Sequence, residues 1–335
     1  MHCHGRRAGS ALGAFLVAHL YAQVPATWKD PSPHVARFVS VDKNVQLEVL
    51  DWGGRGRPIV LLAGGGQTAH VFDDFAPKLA ATSHVYGITR RGFGMSGYGA
   101  TNAPADRLGE DVVAVIDKFK LNRPILVGHS IAGAELSSVA NSRPDRIAGL
   151  VYLDAAYSYA FDNGRGADVR EMQELHGPQP PPPRGTDLAS FTALQRYYER
   201  VDGFQIPEAE LRQQWESGSD GRPVKQRDPP GGAMLYSLLM APKKYIRIPA
   251  PAVVIFANPH RDGTWVEGAA DASVRGAADV YSAALAALTE RQEKAVEDAV
   301  PTAHVITLRN ASHFVFLSNE ADVLREVRGF LASLK

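Results

Sequence analysis

The sequence predicts an α/β fold, in which helices cover both faces of a mostly parallel, eight-stranded sheet and a mainly helical cap is inserted. Short apolar runs alternate with amphipathic helical segments along most of the 335 residues. Several of these runs are apolar at every position, as expected for strands buried on both faces. A long segment late in the chain loses the alternation and contains the proline-rich stretch 178–183, which predicts the insertion.

The strands and helices are expected in a regular order. A turn at 42–44 separates the first two strands, and most later strands lead through a loop into a helix. The predicted strands cover residues 35–41, 45–52, 58–62, 84–90, 124–127, 147–153, 252–258 and 304–308. The predicted helices cover 71–81, 108–119, the stretch from Ala132 to before Pro144, 277–300 and the end of the chain after Ser318 or Asn319. Active sites in such sheets lie beyond the carboxyl ends of the strands, so catalytic residues are sought in those loops.

The core is expected to comprise residues 35–154 and 250–335, and the cap residues 155–249. Within the cap, weak helical patterns occur at 188–198 and 207–215. Aromatic residues are frequent there, which argues against a disordered linker.

Residues 1–26 have the pattern of a leader. Arg6 and Arg7 precede the run 8–22, which holds no acidic residue and is too short and too weakly apolar to span a bilayer. The expected protein is therefore secreted or periplasmic, without stable membrane insertion; the alternative is a cytoplasmic protein with a poorly ordered leader or a misassigned start. The single cysteine, Cys3, lies in this segment, so a processed chain would contain none, which suits an oxidising compartment.

The composition excludes several classes of function. Lys and Arg together number 36 and so do Asp and Glu, and no basic run stands out, so no nucleic-acid partner is expected. No Cys/His cluster indicates zinc, and the glycine spacing fits neither a dinucleotide-binding nor a P-loop pattern. We therefore expect neither a cofactor nor a metal.

The stretch Gly128-His129-Ser130-Ile131-Ala132-Gly133 carries a Gly-x-Ser-x-Gly pattern between a buried strand and a helix. A sharp strand-to-helix turn would expose the Ser130 hydroxyl near a helix N-terminus, which favours developing negative charge. Side chains at Gly128 or Gly133 would collide with the neighbouring helix or strand. Ser130 is the predicted nucleophile, and His129 is interpreted as structural.

A serine hydroxyl needs a base, usually a histidine oriented by a carboxylate. His313 follows the last strand and is the predicted base. Two carboxylates are candidates for the acid. Asp154 ends the strand after the elbow helix, and Asp262 lies in the loop after a later strand. A rigid strand end holds a side chain better than a loop does, which favours Asp154 and leaves Asp262 open.

An oxyanion hole needs two N–H groups close to the developing charge. One is expected from Ile131, directly after the nucleophile. The other is expected from the glycine-rich loop after the strand at 58–62, where Gly65 is the first choice and Gly66 the second. Glycines allow the backbone to approach a substrate closely.

Three segments together resemble α/β-hydrolases of the esterase, lactonase and epoxide-hydrolase-like group: the elbow 126–133, the loop 91–96 and the histidine loop 311–314. Two departures stand out. Ala63 occupies the position of the usual histidine before the oxyanion loop, and no carboxylate follows the strand 252–258 at the usual short distance. Haloalkane dehalogenases and certain lactonases carry the acid at the equivalent of Asp154, so the resemblance also favours that residue.

The resemblance implies hydrolysis of a carboxylic ester or lactone through an acyl-enzyme. A serine at the elbow argues against dehalogenase and epoxide hydrolase chemistry, which uses an aspartate in this family. Cap aromatics suggest an apolar small-molecule substrate. The alternatives are a ligand-binding protein with a slow or vestigial triad, and carbon–carbon bond hydrolysis or perhydrolysis by the same triad.

Overall fold

The computed structural model describes residues 28–99, 104–241 and 245–334, so the predicted leader, 1–26, lies outside the described residues. The strands are β1 (Val35–Asp42), β2 (Val45–Gly53), β3 (Pro58–Leu62), β4 (His84–Ile88), β5 (Ile125–His129), β6 (Gly149–Leu153), β7 (Trp215–Ser217), β8 (Pro223–Gln226), β9 (Ala252–Ala257) and β10 (Ala303–Leu308). The helices are α1 (Ala76–Ala80), α2 (Ala105–Lys118), α3 (Ala132–Ser142), α4 (Val169–Gln173), α5 (Phe191–Asp202), α6 (Glu208–Gln214), α7 (Gly232–Leu239), α8 (Thr264–Glu267), α9 (Ala272–Ala299), α10 (Val315–Ser318) and α11 (Glu320–Ser333). Short 3₁₀ helices lie at Ala69–Phe72, Pro144–Arg146 and Gly185–Leu188.

Eight strands form one sheet in the order β1-β2-β4-β3-β5-β6-β9-β10. The pairs β1–β2 and β2–β4 are antiparallel, and the other neighbours are parallel. The predicted eight-stranded, mostly parallel sheet is therefore confirmed. Its register pairs His129 with Leu153 and Leu153 with Ile255, so the carboxyl ends of β5, β6 and β9 meet at one edge.

The central strands alternate their apolar side chains between two buried clusters. Leu126, Tyr152 and Phe256 face α2 and α3 on one side of the sheet. Ile125 and Val127 face the opposite cluster, which includes residues of the 3₁₀ helix Ala69–Phe72 and of α10 and α11. Helices therefore cover both faces, and the continuous apolar runs reflect strands without a solvent-facing side.

The helix predicted at 71–81 is divided in two. Thr68 caps the 3₁₀ helix Ala69–Phe72 by accepting a hydrogen bond from the His70 N–H, and α1 starts separately at Ala76. Pro77 explains the division, because proline is favoured in the first turn of a helix and interrupts a helix interior. The long helix α9 begins at Ala272 instead of at residue 277, because the Asp271 side chain caps it by accepting a hydrogen bond from the Ser273 N–H.

The chain leaves the sheet after β6 and returns in the neighbouring strand β9. The segment between them contains α4 to α7 and the two-stranded antiparallel ribbon β7–β8, which the sequence did not predict. Helices α5 and α6 enclose their own apolar cluster, which includes Phe191, Leu194, Leu211 and Trp215. The proline-rich stretch 178–183 adopts neither helix nor strand. Within the part of the chain that the structure describes, no helix is both long and apolar enough to cross a membrane.

Candidate active site

Ser130 occupies the turn between β5 and α3 with φ of 54°, a left-handed conformation that is uncommon for a residue with a side chain. Its N–H donates to the Leu153 carbonyl at 3.1 Å, which anchors the turn to β6. A Cβ atom on Gly133 would lie 1.8 Å from the Ala155 carbonyl oxygen, and one on Gly128 would lie 3.0 Å from the Leu136 side chain. Gly133 thus allows α3 to lie close to the loop after β6, and Gly128 allows α3 to lie close to β5, as the sequence predicts.

The structure brings His313 to Asp154. Nδ1 of His313 lies 2.6 Å from Oδ2 of Asp154, which is fully buried at the end of β6. Asp262, the alternative acid, instead accepts a hydrogen bond from the Ser282 hydroxyl of α9 at 2.6 Å. Of the two carboxylates considered from the sequence, Asp154 is therefore the one that contacts the predicted base.

Four donors surround the Asp154 carboxylate. Besides His313, the Tyr157 hydroxyl lies 2.9 Å and the Ala257 N–H 3.2 Å from Oδ1, and Nε2 of His260 lies 2.7 Å from Oδ2. Burial alone would raise the pKa of Asp154, but the charges and hydrogen bonds of His260 and His313 hold it well below its usual range. The carboxylate is thus ionised and fixed in orientation.

His260 is a site residue that sequence patterns did not reveal. The loop after β9 runs beside the loop after β10, where the Arg261 N–H donates to the Ala311 carbonyl at 2.8 Å and His260 forms a parallel bridge with Ala311. This pairing turns His260 toward Asp154. The only signal in the sequence is its position three residues after β9, at the functional edge of the sheet.

His129 connects the histidine loop to the glycine-rich loop. Its Nε2 donates to the His313 carbonyl at 3.0 Å, and its Nδ1 lies 3.3 Å from Oε1 of Gln67. Burial and the neighbouring His313 lower the pKa of His129 to about 3, so the ring is neutral. This agrees with the structural role expected for His129.

The glycine-rich loop after β3 reaches the elbow. A Cβ atom on Gly65 would lie 3.7 Å from Cγ2 of Ile131, so the two predicted oxyanion residues are neighbours. The buried Arg90 fixes the loop, because its guanidinium donates to the Ala63 carbonyl at 2.7 Å and to the Gly64 carbonyl at 3.0 Å. Glu135 of α3 pairs with the same guanidinium. The sequence did not indicate this role of Arg90, since arginine after a strand is most often exposed.

Tyr159 is a second residue that the sequence did not single out as part of the site. Burial and the negative charge of Asp154 raise the pKa of Tyr159, while an interaction with the Ser130 side chain lowers it less, so the Tyr159 hydroxyl remains neutral. Tyr159 thus belongs to the surroundings of Ser130, as His260 belongs to those of Asp154.

A cleft of about 970 Å³ adjoins the glycine-rich loop. Gly65, Gly66 and Gln67 line one side, the turn between β1 and β2 lines another, and residues 226–230 of the insertion close a third. The lining includes five glutamines: Gln46, Gln67, Gln213, Gln214 and Gln226. The cleft can therefore hydrogen-bond polar groups of a ligand as well as contact apolar ones.

A family model described as the alpha/beta hydrolase family matches residues 59–326. The chain therefore belongs to this family, and the family resemblance seen in the sequence is confirmed.

Relatives within this family include hydrolases and peroxidases. The chain is 34% identical to a non-heme chloroperoxidase of Streptomyces lividans over 122 residues, which cover 35% of this chain and 44% of the relative. It spans only 30 to 55% of the length of the curated relatives it matches. Among solved structures, E-2-(acetamidomethylene)succinate hydrolase superposes with a TM-score of 0.61 at 15% identity over 90% of this chain and 100% of that one. A thermophilic esterase from Thermogutta terrifontis superposes with a TM-score of 0.58 at 16% identity, over 90% of this chain and 99% of the esterase. At these identities the superpositions show the fold alone.

Proposed function

We propose that this protein is a serine hydrolase that cleaves carboxylic esters or lactones through Ser130, His313 and Asp154. The observation that carries the proposal is the 2.6 Å contact between His313 and the buried Asp154, at the strand edge where Ser130 occupies a strained turn. If the Gly-x-Ser-x-Gly pattern were a chance occurrence, we would not expect a buried carboxylate to contact a half-exposed histidine at the same edge of the sheet.

The proposed reaction has two acyl-transfer steps. His313 takes the proton of the Ser130 hydroxyl as the oxygen attacks the ester carbonyl, and then gives that proton to the departing alcohol. Water, deprotonated by His313, next attacks the acyl-enzyme and releases the acid and free Ser130. The negative charge of Asp154 stabilises the imidazolium in both steps, and the four donors around it keep it ionised.

The oxyanion of each tetrahedral intermediate would accept hydrogen bonds from the N–H groups of Ile131 and Gly65. The proximity of Ile131 and Gly65 supports this assignment. The hydrogen bonds from Arg90 to the Ala63 and Gly64 carbonyls also support it, because they fix the loop, and fixed donors need no rearrangement when charge develops. Gly66, with φ of 76°, remains the alternative second donor.

The segment from 155 to 249 is proposed to act as the cap that selects the substrate. Its residues 226–230 border the cleft beside the glycine-rich loop. The apolar substrate expected from the cap aromatics stays a prediction. The cleft is lined by Gly65 but by none of Ser130, Asp154 and His313, so its glutamines would bind polar groups of a substrate at a distance from the bond that is cleaved.

Perhydrolysis is a second candidate activity, favoured by the likeness to a non-heme chloroperoxidase. The same acyl-enzyme would be attacked by hydrogen peroxide instead of water, which yields a peracid. A panel of esters, lactones and diketones, assayed with and without peroxide, separates the two reactions by their products.

The decisive experiment combines covalent labelling with turnover. A fluorophosphonate should modify Ser130, and Ser130→Ala should lower hydrolysis of a short p-nitrophenyl ester by about 10³-fold or more. The matched control is Ser142→Ala, which removes a hydroxyl at the far end of α3 that donates to the Ser138 carbonyl at 2.8 Å. Unchanged turnover in Ser130→Ala overturns the mechanism. A wild-type chain that is neither labelled nor active across the panel would favour the ligand-binding alternative over an enzyme.

A further inference from the structure

Four metal-ligating side chains converge in a group that includes none of Ser130, Asp154 and His313. Asp30 and His34 precede β1, and His70 and Asp73 belong to the turn after β3. Each offers one ligand atom, and these atoms all lie within 4.8 Å of one another. His70 and Asp73 are buried, whereas Asp30 is the most exposed of the four, with 21% of its side chain accessible. The group is thus enclosed but open to solvent at Asp30.

The distances within this group suit a single small cation. Nδ1 of His70 lies 3.0 Å from Oδ2 of Asp73 and 3.3 Å from Oδ2 of Asp30. Nε2 of His34 lies 3.6 Å from Oδ2 of Asp30, while its Nδ1 donates to Asp73 at 2.9 Å. Nitrogen and oxygen ligands bound about 2.0–2.2 Å from a tetrahedral metal are separated by roughly 3.3–3.5 Å. Little movement would therefore bring these four ligands onto one ion.

The charges of the group also favour a cation. Asp30 and Asp73 carry two negative charges, and Oε1 of Glu48 adds a third carboxylate 3.8 Å from Nε2 of His70. Among the described residues, the ion pairs of these three carboxylates are with histidines rather than with Lys or Arg. Three carboxylates thus face two imidazoles, and a divalent ion bound in place of the imidazole protons would balance the charges of Asp30 and Asp73.

We propose that Asp30, His34, His70 and Asp73 form a binding site for a divalent transition-metal ion, with Zn²⁺ the favoured occupant. Two imidazoles and two carboxylates form a mixed nitrogen and oxygen donor set of the kind that zinc binds with four ligands. Mg²⁺ and Ca²⁺ prefer oxygen ligands throughout, which the histidines do not offer. Sequence patterns do not reveal the site, because its two ligand pairs are far apart in the chain.

The site is structural, because it lies outside the catalytic residues and joins separate parts of the fold. The ion would connect the segment before β1 to the turn after β3. Thr68 precedes that turn, and both its N–H and its hydroxyl bind the buried carboxylate of Glu210 in α6. A metal at His70 and Asp73 would therefore stabilise the N-terminal segment, the end of the glycine-rich loop and its contact with the insertion together.

Metal binding by the purified full chain tests this proposal without reference to activity. After the chain is stripped with EDTA, Zn²⁺ is titrated in competition with a chromophoric chelator, and bound metal is counted by mass spectrometry. We expect one Zn²⁺ per wild-type chain and a higher Tm with Zn²⁺ than with EDTA. Asp30→Asn combined with His34→Gln should weaken binding about 100-fold or more and abolish the Tm shift. Co²⁺ should give the strong visible absorption of a four-coordinate site in the wild type alone.

Two histidine variants serve as controls. His84→Gln removes a histidine that pairs with Asp51 at 2.8 Å outside the group, and His260→Gln disrupts the other His/Asp group, at Asp154. Both should keep the full Zn²⁺ stoichiometry and the Tm shift. Circular dichroism checks that the Asp30/His34 variant is folded. The proposal is overturned if the wild type binds no Zn²⁺, if the double variant binds it as tightly, or if His260→Gln abolishes binding.

Discussion

His260 and His313 donate to the same carboxylate oxygen of Asp154, at 2.7 and 2.6 Å. Two imidazoles therefore share the charge of one buried acid. Burial by itself would lower the pKa of His260. The charge and the hydrogen bond of Asp154 have the larger combined effect and raise this pKa above its ordinary value. When His260 is protonated, less of the negative charge of Asp154 is left to stabilise a proton on His313.

Replacing His260 by Gln should change the pH dependence of catalysis more than its maximum rate. Gln keeps a donor for Asp154 but carries no charge, so the full charge of Asp154 acts on His313. The acid limb of the kcat/KM profile should therefore move to higher pH, with kcat on the plateau within a few-fold of the wild type. Superimposable profiles would show that His260 does not influence the base. His304→Gln, at an exposed position of β10, is the control.

We also expect His260→Gln to lower the stability of the fold by an amount that depends on pH. A raised pKa in the folded state means that protonated His260 stabilises the fold. This contribution is complete below the unfolded-state pKa of about 6.5 and is lost as the pH rises through the folded-state value. The difference in the free energy of unfolding between wild type and His260→Gln should thus be largest in mild acid and shrink in alkali. Urea unfolding at a series of pH values measures it, and a difference that grows with pH would contradict the assignment.

Asparagine substitutions distinguish the two acids considered from the sequence. Asp154→Asn should lower kcat by about 10⁴-fold, because an amide neither stabilises the imidazolium nor fixes the tautomer of His313. Asp262→Asn should change kcat by no more than a few-fold, since Asp262 bonds Ser282 instead. Steady-state kinetics on one ester is sufficient, and a large loss in Asp262→Asn with activity retained in Asp154→Asn would reverse the assignment.

The sequence predicts those parts of the fold that depend on local patterns. Each of the eight sheet strands was predicted to within a few residues, because apolar runs such as 58–62 are buried on both faces of the sheet. Ser130, Asp154 and His313 could be named as candidates from the sequence because each follows a strand, and their catalytic roles stay a prediction. By contrast, Arg90, Tyr159 and His260 act through contacts across the sheet edge, which no local pattern encodes. The ribbon β7–β8 was missed because its strands span only three and four residues.

Gly133→Ala should destabilise the fold strongly. The new Cβ would lie 1.8 Å from the Ala155 carbonyl oxygen, so α3 or the loop after β6 must move. We expect a loss of about 1–3 kcal/mol or more in the free energy of unfolding. Gly276→Ala in α9 is the matched control, because its Cβ meets open space and alanine favours a helix by up to about 1 kcal/mol. Equal unfolding midpoints in urea for the two variants would refute the expected clash.

Export remains a prediction that the N-terminus can test. If residues 1–26 are a leader, the protein released by the producing cell should begin near residue 23 or 27. Intact-mass analysis of the native protein measures this directly. A chain that retains Met1 outside the cytoplasm would contradict cleavage, and one found only inside would favour the cytoplasmic alternative.

The connection between β6 and β9 has a consequence for how this fold diversifies. Both ends of the long excursion are held by adjacent parallel strands, in the register that pairs Leu150 with Ala252. A replacement segment of different length therefore needs to match only two fixed anchor points, the carboxyl end of β6 beside Asp154 and the amino end of β9 at Ala252. Grafting foreign insertions that leave Tyr157 and Tyr159 in place offers a route to new substrate ranges, while the strand order and the contacts of Asp154 stay unchanged.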